Sequence, residues 1–284
     1  MNICFIGGGN MANAMIGGLI KQSAFTAEQI RVVDPNPNAR ARLQHEFKVK
    51  AAEDLAQVVN DSSVIILAVK PNQIREVAES LSSICHQDEK PLVISIAAGI
   101  NLVSIARWLG WNNPPLIRAM PNTPALISEG ITGLYPWPSL LGGPTKTHID
   151  LADKILRSVG KTIWVENEDE MNAVTAVSGS GPAYVFYFIE ALEQAGKELN
   201  LPGNIARELA LVTVLGAAKL ASAENAEDPA TLRTRVTSKN GTTERALLSM
   251  DEKIGDTVKQ RIIMAAKAAA ARSKEMGDEL GGAN

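Results

Sequence analysis

The N-terminal stretch Ile3-Cys4-Phe5-Ile6-Gly7-Gly8-Gly9-Asn10-Met11-Ala12 decides the fold of this chain. Its first four residues are apolar and predict a buried strand, and the residues from Met11 onward have the apolar spacing of a helix. Between the two, Gly7, Gly9 and Ala12 match the G-x-G-x-x-G/A pattern of a turn that binds a dinucleotide pyrophosphate. Gly7 permits the tight turn, Gly9 lets the backbone approach the phosphates, and Ala12 lets the helix lie close to the sheet. The stretch therefore predicts an α/β domain with a nucleotide site at a helix N-terminus.

Short apolar runs recur through the first half of the chain, with amphipathic segments between them. Several runs are continuously apolar, which is typical of strands that are covered on both faces of a sheet. The alternation of strand and helix patterns predicts a parallel, doubly wound sheet. The predicted strands are residues 3–6, 30–33, 64–69, 92–96, 116–117, 131–135 and 162–165, and the helices between them include residues 11–21 and 39–47.

The pattern changes at the acidic stretch Glu166-Asn167-Glu168-Asp169-Glu170, whose charges suit the first turn of a helix. Helical periodicity then continues to the C-terminal region. We therefore predict two domains, residues 1–166 with α/β structure and residues 167–284 with helices alone. The predicted helices of the second domain are residues 170–177, 182–199, 204–225, 229–237, 242–251 and 254–276.

Residues 209–218 are apolar nearly all round, so a helix there has to be buried on every side. A small helical domain achieves this most readily by packing against a second subunit. The alternative is a central helix of a monomeric bundle. We favour the oligomer.

Composition narrows the class of protein. The 284 residues carry a net charge of −3 without a basic run, so there is no electrostatic case for binding nucleic acid or an anionic membrane. The N-terminus lacks the features of a signal peptide, and no apolar stretch approaches the roughly 20 residues of a membrane span, so we expect a cytoplasmic protein. The three histidines, His45, His86 and His148, lack ligand spacing, and we expect no metal site. Cys4 lies in an apolar run and is expected to be a core residue rather than a reactive thiol.

An acid at the end of the second predicted strand bears on the choice of nucleotide. Asp34 stands where such a residue normally accepts hydrogen bonds from the adenosine ribose and repels a 2′-phosphate, which favours NADH. Asn36, Asn38 and Arg40 follow closely and suit a phosphate. The residues alone therefore leave the 2′ group of the cofactor open.

Two further strand ends point to the same edge of the sheet. Lys70, in the turn after the strand at 64–69, is either a cofactor or substrate contact or an exposed turn lysine. The stretch Ser95-Ile96-Ala97-Ala98-Gly99 offers small residues at a strand end, where backbone approaches a ligand closely.

Three loops rich in small and polar residues interrupt the apolar patterns at 120–124, 178–184 and 237–244. The second begins a helix, with Ser180 as a candidate N-cap and Pro182 in the first turn. In the third, Gly241 permits a turn and Thr242 begins a helix, which presents free N–H groups suited to a carboxylate.

Together these segments resemble pyrroline-5-carboxylate reductase, the family that carries out the last step of proline synthesis. The resemblance extends over essentially the whole chain: IGGGNM at 6–11, AVKP at 68–71, SIAAG at 95–99, RAMPNTP at 118–124, AVTAVSGSGPAY at 173–184 and RVTSKNGTTERAL at 235–247. The last segment is the most specific, since it is similar to a family signature built around a Ser-Pro-x-Gly-Thr-Thr core. Lys239 stands where that core usually has proline, which changes the rigidity and charge of the loop.

The resemblance implies a Rossmann domain followed by a helical dimerisation domain that interlocks with its partner, in dimers that often assemble further, for example into a decamer. It implies hydride transfer from NADPH to the C=N carbon of 1-pyrroline-5-carboxylate, a small imino acid, and Asp34 leaves NADH as the alternative. The cofactor contacts implied are Ile6, Gly7, Gly8, Gly9, Asn10, Met11, Asp34, Asn36, Ala68, Val69, Lys70, Pro71, Ile96, Ala97 and Ala98. Residues 178–180 are expected to border the nicotinamide.

The resemblance also implies a substrate site. Asn240, Gly241, Thr242 and Thr243 would hold the substrate carboxylate, largely through backbone N–H groups. The Thr243 hydroxyl would bond the ring nitrogen and is the expected catalytic group, whereas the alternative is that both threonines merely begin a helix. Glu168 either lies near the substrate or is a solvated acid of a first helical turn.

Two rival functions remain at this stage. One rival is a reductase for another imine or for a β-hydroxyacid, on the same two-domain plan. The β-hydroxyacid enzymes, however, need a lysine as general acid, and residues 171–183 contain none. A dinucleotide-binding sensor would explain an oligomer surface but would not need the serine-rich and threonine-rich loops.

Overall fold

The sheet is built around β1 (Ile3–Ile6), as the first residues of the chain predict. In the computed structural model, which describes residues 1–85, 90–138, 143–223, 227–251 and 256–282, eight strands form one sheet. The other strands are β2 (Ile30–Val33), β3 (Lys50–Ala52), β4 (Val64–Leu67), β5 (Leu92–Ser95), β6 (Leu116–Met120), β7 (Gly130–Pro136) and β8 (Gly160–Trp164). The strand order is β3-β2-β1-β4-β5-β6-β7-β8, and β1 pairs in parallel with both β2 and β4. The predicted doubly wound α/β sheet is confirmed.

One pairing departs from the predicted all-parallel sheet, because β7 runs antiparallel to β6. Parallel strands need a crossover of about a dozen residues or more, usually a helix. Here a short connection that contains the single 3₁₀ turn Thr123–Ile127 joins Met120 to Gly130, so the chain folds straight back. β8 pairs in parallel with β7 and completes the sheet.

Eleven α-helices lie within the described residues. They are α1 (Asn10–Lys21), α2 (Pro37–Phe47), α3 (Ile74–Ile84), α4 (Leu102–Leu109), α5 (Lys146–Arg157), α6 (Glu170–Val174), α7 (Gly181–Glu198), α8 (Gly203–Ala221), α9 (Pro229–Arg235), α10 (Thr242–Met250) and α11 (Val258–Gly281). The predicted helix at 170–177 is divided, since α6 passes into a π-helical turn at Thr175–Gly179. His86 and residues 224–225 and 254–255 of the predicted helices lie outside the described residues.

The chain forms two compact units, Met1–Ser180 together with Lys267–Asn284, and Gly181–Ala266. The predicted domain boundary between residues 166 and 167 stays a prediction. The compact units instead meet after Ser180 and after Ala266. The last turns of α11 belong to the sheet unit, where Gly277 lies against the loop after β5. A Cβ on Gly277 would lie 2.5 Å from the Gly99 carbonyl oxygen.

The core of the sheet unit covers both faces of the strands. Alternate residues of β1 face opposite sides, so Ile3 and Phe5 belong to one apolar cluster and Cys4 and Ile6 to the other. Burial raises the pKa of the Cys4 thiol to about 12, which keeps it protonated at neutral pH. Cys4 is therefore a core residue.

The unit Gly181–Ala266 has little core of its own. α7 and α8 form a hairpin in which a Cβ on Gly196 would lie 2.9 Å from the Ala206 Cβ. Within the described part of this unit, only Ala206 and Ala210 are buried. Large apolar side chains on the same two helices are exposed, including Phe186 at 66% and Val212 at 61%.

We expect Gly18→Ala to destabilise the sheet unit, because its Cβ would collide with the Ser158 carbonyl oxygen in the loop before β8. Gly17→Ala is the matched control in the same helix, since its Cβ would meet only the Phe47 ring at 3.2 Å. Overpacking costs about 1–3 kcal/mol, and alanine recovers about 1 kcal/mol of helix propensity at either site. Thermal unfolding should give a lower Tm for Gly18→Ala than for Gly17→Ala. Equal Tm values would contradict the close approach of α1 to this loop.

Candidate active site

The turn between β1 and α1 lies against the end of β4. Gly7 has a φ of +102°, and a Cβ on it would lie 2.6 Å from the Ala68 carbonyl oxygen, so only glycine fits. Gly9 is different, because a Cβ there would meet nothing within 4 Å. Gly9 is the N-cap of α1, and no side chain of the described residues caps this helix. The turn therefore leaves open space in front of a free helix N-terminus.

Asp34 joins the end of β2 to this turn. One carboxylate oxygen, Oδ2, accepts the Gly8 N–H at 2.7 Å, and the other, Oδ1, accepts the Asn36 N–H at 2.8 Å. The Asn36 side chain in turn caps α2 by accepting the Asn38 N–H at 2.9 Å. Each carboxylate oxygen has a further lone pair, so Asp34 can still accept hydrogen bonds from a ribose.

Two arginines of α2 approach the same turn. Arg40 donates to the Asp34 and Pro35 carbonyl oxygens at 2.8 and 2.9 Å and pairs with Glu53 at 3.0 Å, so it is engaged in holding the loop. Arg42, which the sequence analysis did not single out, is exposed and donates to the Gly8 carbonyl oxygen at 2.9 Å. The sequence shows Arg42 only as one cation in the predicted helix after Asp34. The fold is what brings its guanidinium to the glycine turn.

The remaining predicted cofactor residues follow neighbouring parallel strands. Ala68, Val69, Lys70 and Pro71 follow β4, and residues 96–98 follow β5. Because β2, β1, β4 and β5 are adjacent and parallel, their carboxyl ends lie along one edge, and the strand order reverses between β1 and β4. Such a switch point is where doubly wound sheets bind ligands. Lys70 is exposed in its turn.

This edge fits a dinucleotide pyrophosphate. The open space at Gly9 gives the phosphates room, and the uncapped start of α1 offers N–H groups and a positive partial charge. The structure thus brings together the sequence-predicted residues of β1, β2, β4 and β5.

Glu168 is held by two partners within the sheet unit. Its Oε1 accepts the Leu102 N–H at the start of α4 at 2.7 Å and pairs with Arg118 Nη1 at 3.0 Å. The side chains of Arg118 and Glu168 are 4% and 19% exposed. Glu168 lies before α6, and its carboxylate is paired and mostly buried, so the alternative of a solvated first-turn acid is wrong.

Arg118, the ion-pair partner of Glu168, was not identified from the sequence. It lies in β6, in the middle of the apolar run Leu-Ile-Arg-Ala-Met. Burial lowers the pKa of Arg118, and the neighbouring Glu168 carboxylate opposes that shift. The available signal was a charge inside a strand covered on both faces, since a buried charge requires a partner.

The predicted carboxylate loop lies in the other compact unit, at the start of α10. Asn240 has a φ of +59°, and a Cβ on Gly241 would collide with the Ser238 side chain. The Asn240 N–H donates to Glu244 Oε2 at 2.7 Å, and the Gly241 N–H donates to the Ser238 carbonyl oxygen at 3.0 Å. These two predicted amide donors are therefore already engaged.

The amides of Thr242 and Thr243 are available in the same loop. They occupy the first turn of α10, and no side chain of the described residues caps this helix. The groups of this loop that the sequence predicts to bind the substrate are thus reduced to these two N–H groups and the Thr243 hydroxyl.

Comparisons with known proteins agree with this architecture. Residues 168–276 match the family model described as pyrroline-5-carboxylate reductase dimerisation, and residues 2–99 match the one described as NADP oxidoreductase, coenzyme F420-dependent. The chain is 41% identical over 279 residues to the pyrroline-5-carboxylate reductase of Pseudomonas aeruginosa, covering 98% of both chains. It is 42% identical over 279 residues to that of Pasteurella multocida, covering 97% of both.

The chain belongs to the pyrroline-5-carboxylate reductase family. A solved pyrroline-5-carboxylate reductase from Coxiella burnetii has the same fold, with a TM-score of 0.88 at 38% identity over 98% of both chains. The resemblance inferred from the sequence motifs is confirmed, and the protein is an oxidoreductase that uses a nicotinamide dinucleotide.

Membership of this reductase family explains the exposed apolar helices. In a single chain Leu209 is 53% and Leu215 is 55% exposed, so a monomeric bundle leaves most of the stretch 209–218 exposed. The match to the dimerisation model includes both helices of the hairpin. The protein is a homo-oligomer, and exposed apolar residues of this kind are typical of a surface that another chain covers.

Two kinds of structural feature are absent from the described residues. No helix there is both long enough and apolar enough to cross a bilayer. No group of three or more histidine, cysteine, aspartate and glutamate side chains there is arranged to hold a metal ion.

We expect the first and last glycines of the turn to fail in different ways. Gly9→Ala should leave the Tm without nucleotide nearly unchanged, because its Cβ meets open space, but should weaken dinucleotide binding by about tenfold or more, equivalent to about 1.4 kcal/mol. Gly7→Ala should lower the Tm itself. Differential scanning fluorimetry and calorimetric titration with NADPH separate the two. Unchanged dinucleotide affinity in Gly9→Ala would exclude this turn as the phosphate site.

Proposed function

We propose that this chain reduces 1-pyrroline-5-carboxylate to L-proline with a reduced nicotinamide dinucleotide, which is the last step of proline biosynthesis. The observation that carries the proposal is the pair of open amides at Thr242 and Thr243 within a chain that belongs to this family. They suit a small anionic imine, and the sheet edge at Gly9 suits the dinucleotide.

The substrate carboxylate is proposed to bind at the start of α10. The Thr242 and Thr243 N–H groups point out of the first turn, where the helix carries a positive partial charge. Glu244, which already holds the Asn240 N–H, keeps the preceding turn in shape. The loop therefore recognises the carboxylate with backbone groups that are set by the fold.

The Thr243 hydroxyl oxygen is proposed to accept a hydrogen bond from the protonated ring nitrogen and so to orient the iminium. Protonation makes the C=N carbon a better hydride acceptor, so holding the proton at that nitrogen favours the reaction. When bound, the nicotinamide supplies the hydride. The protein contributes the relative position of the reactants and the charge around them.

We propose NADPH as the preferred reductant. Asp34 disfavours a 2′-phosphate, but both of its oxygens accept backbone N–H groups, which reduces its repulsion. Arg42 brings a guanidinium to the glycine turn, and Arg40 adds positive charge on the same helix. The match of residues 2–99 to a family of NADP oxidoreductases supports the same choice.

The proposed assembly is a homodimer through the helical unit that associates further, for example into a decamer, in the cytoplasm. The exposed apolar faces of α7 and α8 support the dimer. The net charge of −3, without a basic run, argues against nucleic acid or an anionic membrane as a partner and leaves the small imino acid as the proposed one.

Thr243→Ala tests the function and the role of the hydroxyl together. Wild-type protein should oxidise NADPH only when the imino acid is present, and the variant should lose about 10- to 100-fold in kcat/KM, the value of one hydrogen bond to a charged group. Thr243→Ser should restore most of the activity. Thr234→Ala is the control, because its hydroxyl only bonds the Ala230 carbonyl oxygen within α9. If wild-type protein shows no imine-dependent oxidation, the proposed function is wrong.

Arg42→Gln tests the choice of nucleotide. We expect the ratio of kcat/KM with NADPH to kcat/KM with NADH to fall by about tenfold, or about 1.4 kcal/mol, because a cation beside the turn is removed. Arg75→Gln, which removes an exposed arginine paired with Glu79 on α3, should leave the ratio unchanged. A wild-type preference for NADH would contradict the proposal.

A further inference from the structure

The loop between β5 and α4 carries the predicted cofactor residues Ile96, Ala97 and Ala98. Its first part is fixed by the sheet, since the Ile96 N–H donates to the Leu67 carbonyl oxygen at 3.1 Å. Its last part is fixed by a side chain from a distant segment, because the Leu102 N–H donates to Glu168 Oε1 at 2.7 Å.

Glu168 is itself fixed by a buried charge. Arg118 is 4% exposed and meets the same oxygen, Oε1, at 3.0 Å. A buried guanidinium without a carboxylate partner is strongly unfavourable, so this arginine holds Glu168 in one position. Glu168 thus connects strand β6 to the start of α4 and limits the movement of the α4 N-terminus.

The end of α11 closes the loop from another side. Gly99, with a φ of +81°, lies against Gly277, whose Cβ would be 2.5 Å from the Gly99 carbonyl oxygen. Ser273 of the same helix donates to Asn172 Oδ1 at 2.8 Å, which ties the segment after Glu168 to α11. The loop therefore has little freedom on this side while the Glu168 bridge is intact.

We propose that Glu168 is a positioning residue for the dinucleotide: by bridging Arg118 and the Leu102 amide, it holds residues 96–101 in the shape that receives the cofactor. The inference rests on the proposed function in taking this loop as a cofactor contact and the substrate as a carboxylate. It assigns Glu168 a different role from the one that the family resemblance implies, which is a position near the substrate.

Charge also argues against a substrate contact. The proposed substrate carries a carboxylate, which a second carboxylate beside it would repel. Since the Arg118 guanidinium neutralises the Glu168 carboxylate, the pair has no net charge and attracts a protonated imine only weakly. Its described partners are a guanidinium and a backbone amide, both in the sheet unit.

Three variants test the proposal. Glu168→Ala removes the bridge, and Glu168→Gln keeps an acceptor for Leu102 but not the charge for Arg118. Glu170→Gln is the matched control, because that exposed acid bonds only the backbone N–H groups of Glu166 and Asn167 and the Asn167 side chain. The measurements are calorimetric titration with NADPH, the KM values for both reactants, and amide hydrogen exchange of residues 96–102 without nucleotide.

We expect Glu168→Ala to weaken NADPH binding by about 10- to 100-fold, with a parallel rise in the NADPH KM, because small displacements of a binding loop have effects of this size. Exchange of residues 96–102 should accelerate, Glu168→Gln should fall between Glu168→Ala and wild type, and the imine KM should stay near wild type. Should Glu168→Ala fail to fold, Glu168→Gln carries the test, because it keeps an acceptor for the Leu102 N–H. Asn101→Ala then shows how far NADPH affinity depends on the shape of the loop, since it removes the cap that accepts the Ser104 N–H without exposing a buried charge.

Two results would overturn the proposal. A rise in the imine KM with unchanged NADPH affinity would make Glu168 a substrate contact, and unchanged affinity together with unchanged exchange would leave it no positioning role. The nucleotide titration and exchange need no turnover. A protein that binds NADPH but does not reduce the imine would therefore refute the proposed function while still testing this inference.

Discussion

The contact between Gly7 and the end of β4 is the constraint on which the cofactor site depends. Only a hydrogen atom fits between the Gly7 backbone and the Ala68 carbonyl oxygen, so the chain turns sharply and α1 starts at the sheet edge. That turn leaves the N–H groups at the start of α1 facing the space beside Gly9. Asp34 then fixes the turn from the neighbouring strand through the Gly8 N–H. The site thus follows from the glycine turn after β1, which meets the end of β4 on one side and is held from the end of β2 on the other.

Most of the sheet is predictable because its strands are covered on both faces. Runs such as Val64–Leu67 are continuously apolar, and such runs show their ends clearly in the sequence. β3 (Lys50–Ala52) escaped prediction, because three residues with lysine and alanine have weak strand preference. The direction of β7 depends on a short connection, which the apolar pattern does not encode. The packing of Gly277 on Gly99 joins residues far apart in sequence, and no local signal predicts it.

The site residues divide in the same way. The glycine turn and the threonine loop are local motifs, so the sequence identifies them directly. The bonding state of each group is not local: Glu168 turned out to be paired with Arg118, and the Asn240 amide to be taken by Glu244. Arg42 contacts Gly8 only because α2 passes over the turn. A motif therefore predicts which residues form a site, whereas the fold decides which of their donors and acceptors are free for a ligand.

The most direct test of the account follows the hydride itself. The protein would be incubated with 1-pyrroline-5-carboxylate and NADPH in which both hydrogens at C4 of the nicotinamide are deuterium, and the proline formed would be analysed by mass spectrometry and NMR. The account predicts proline with a single deuterium, located on C5, the former C=N carbon. Unlabelled proline, or oxidation of the dinucleotide without proline, would contradict it.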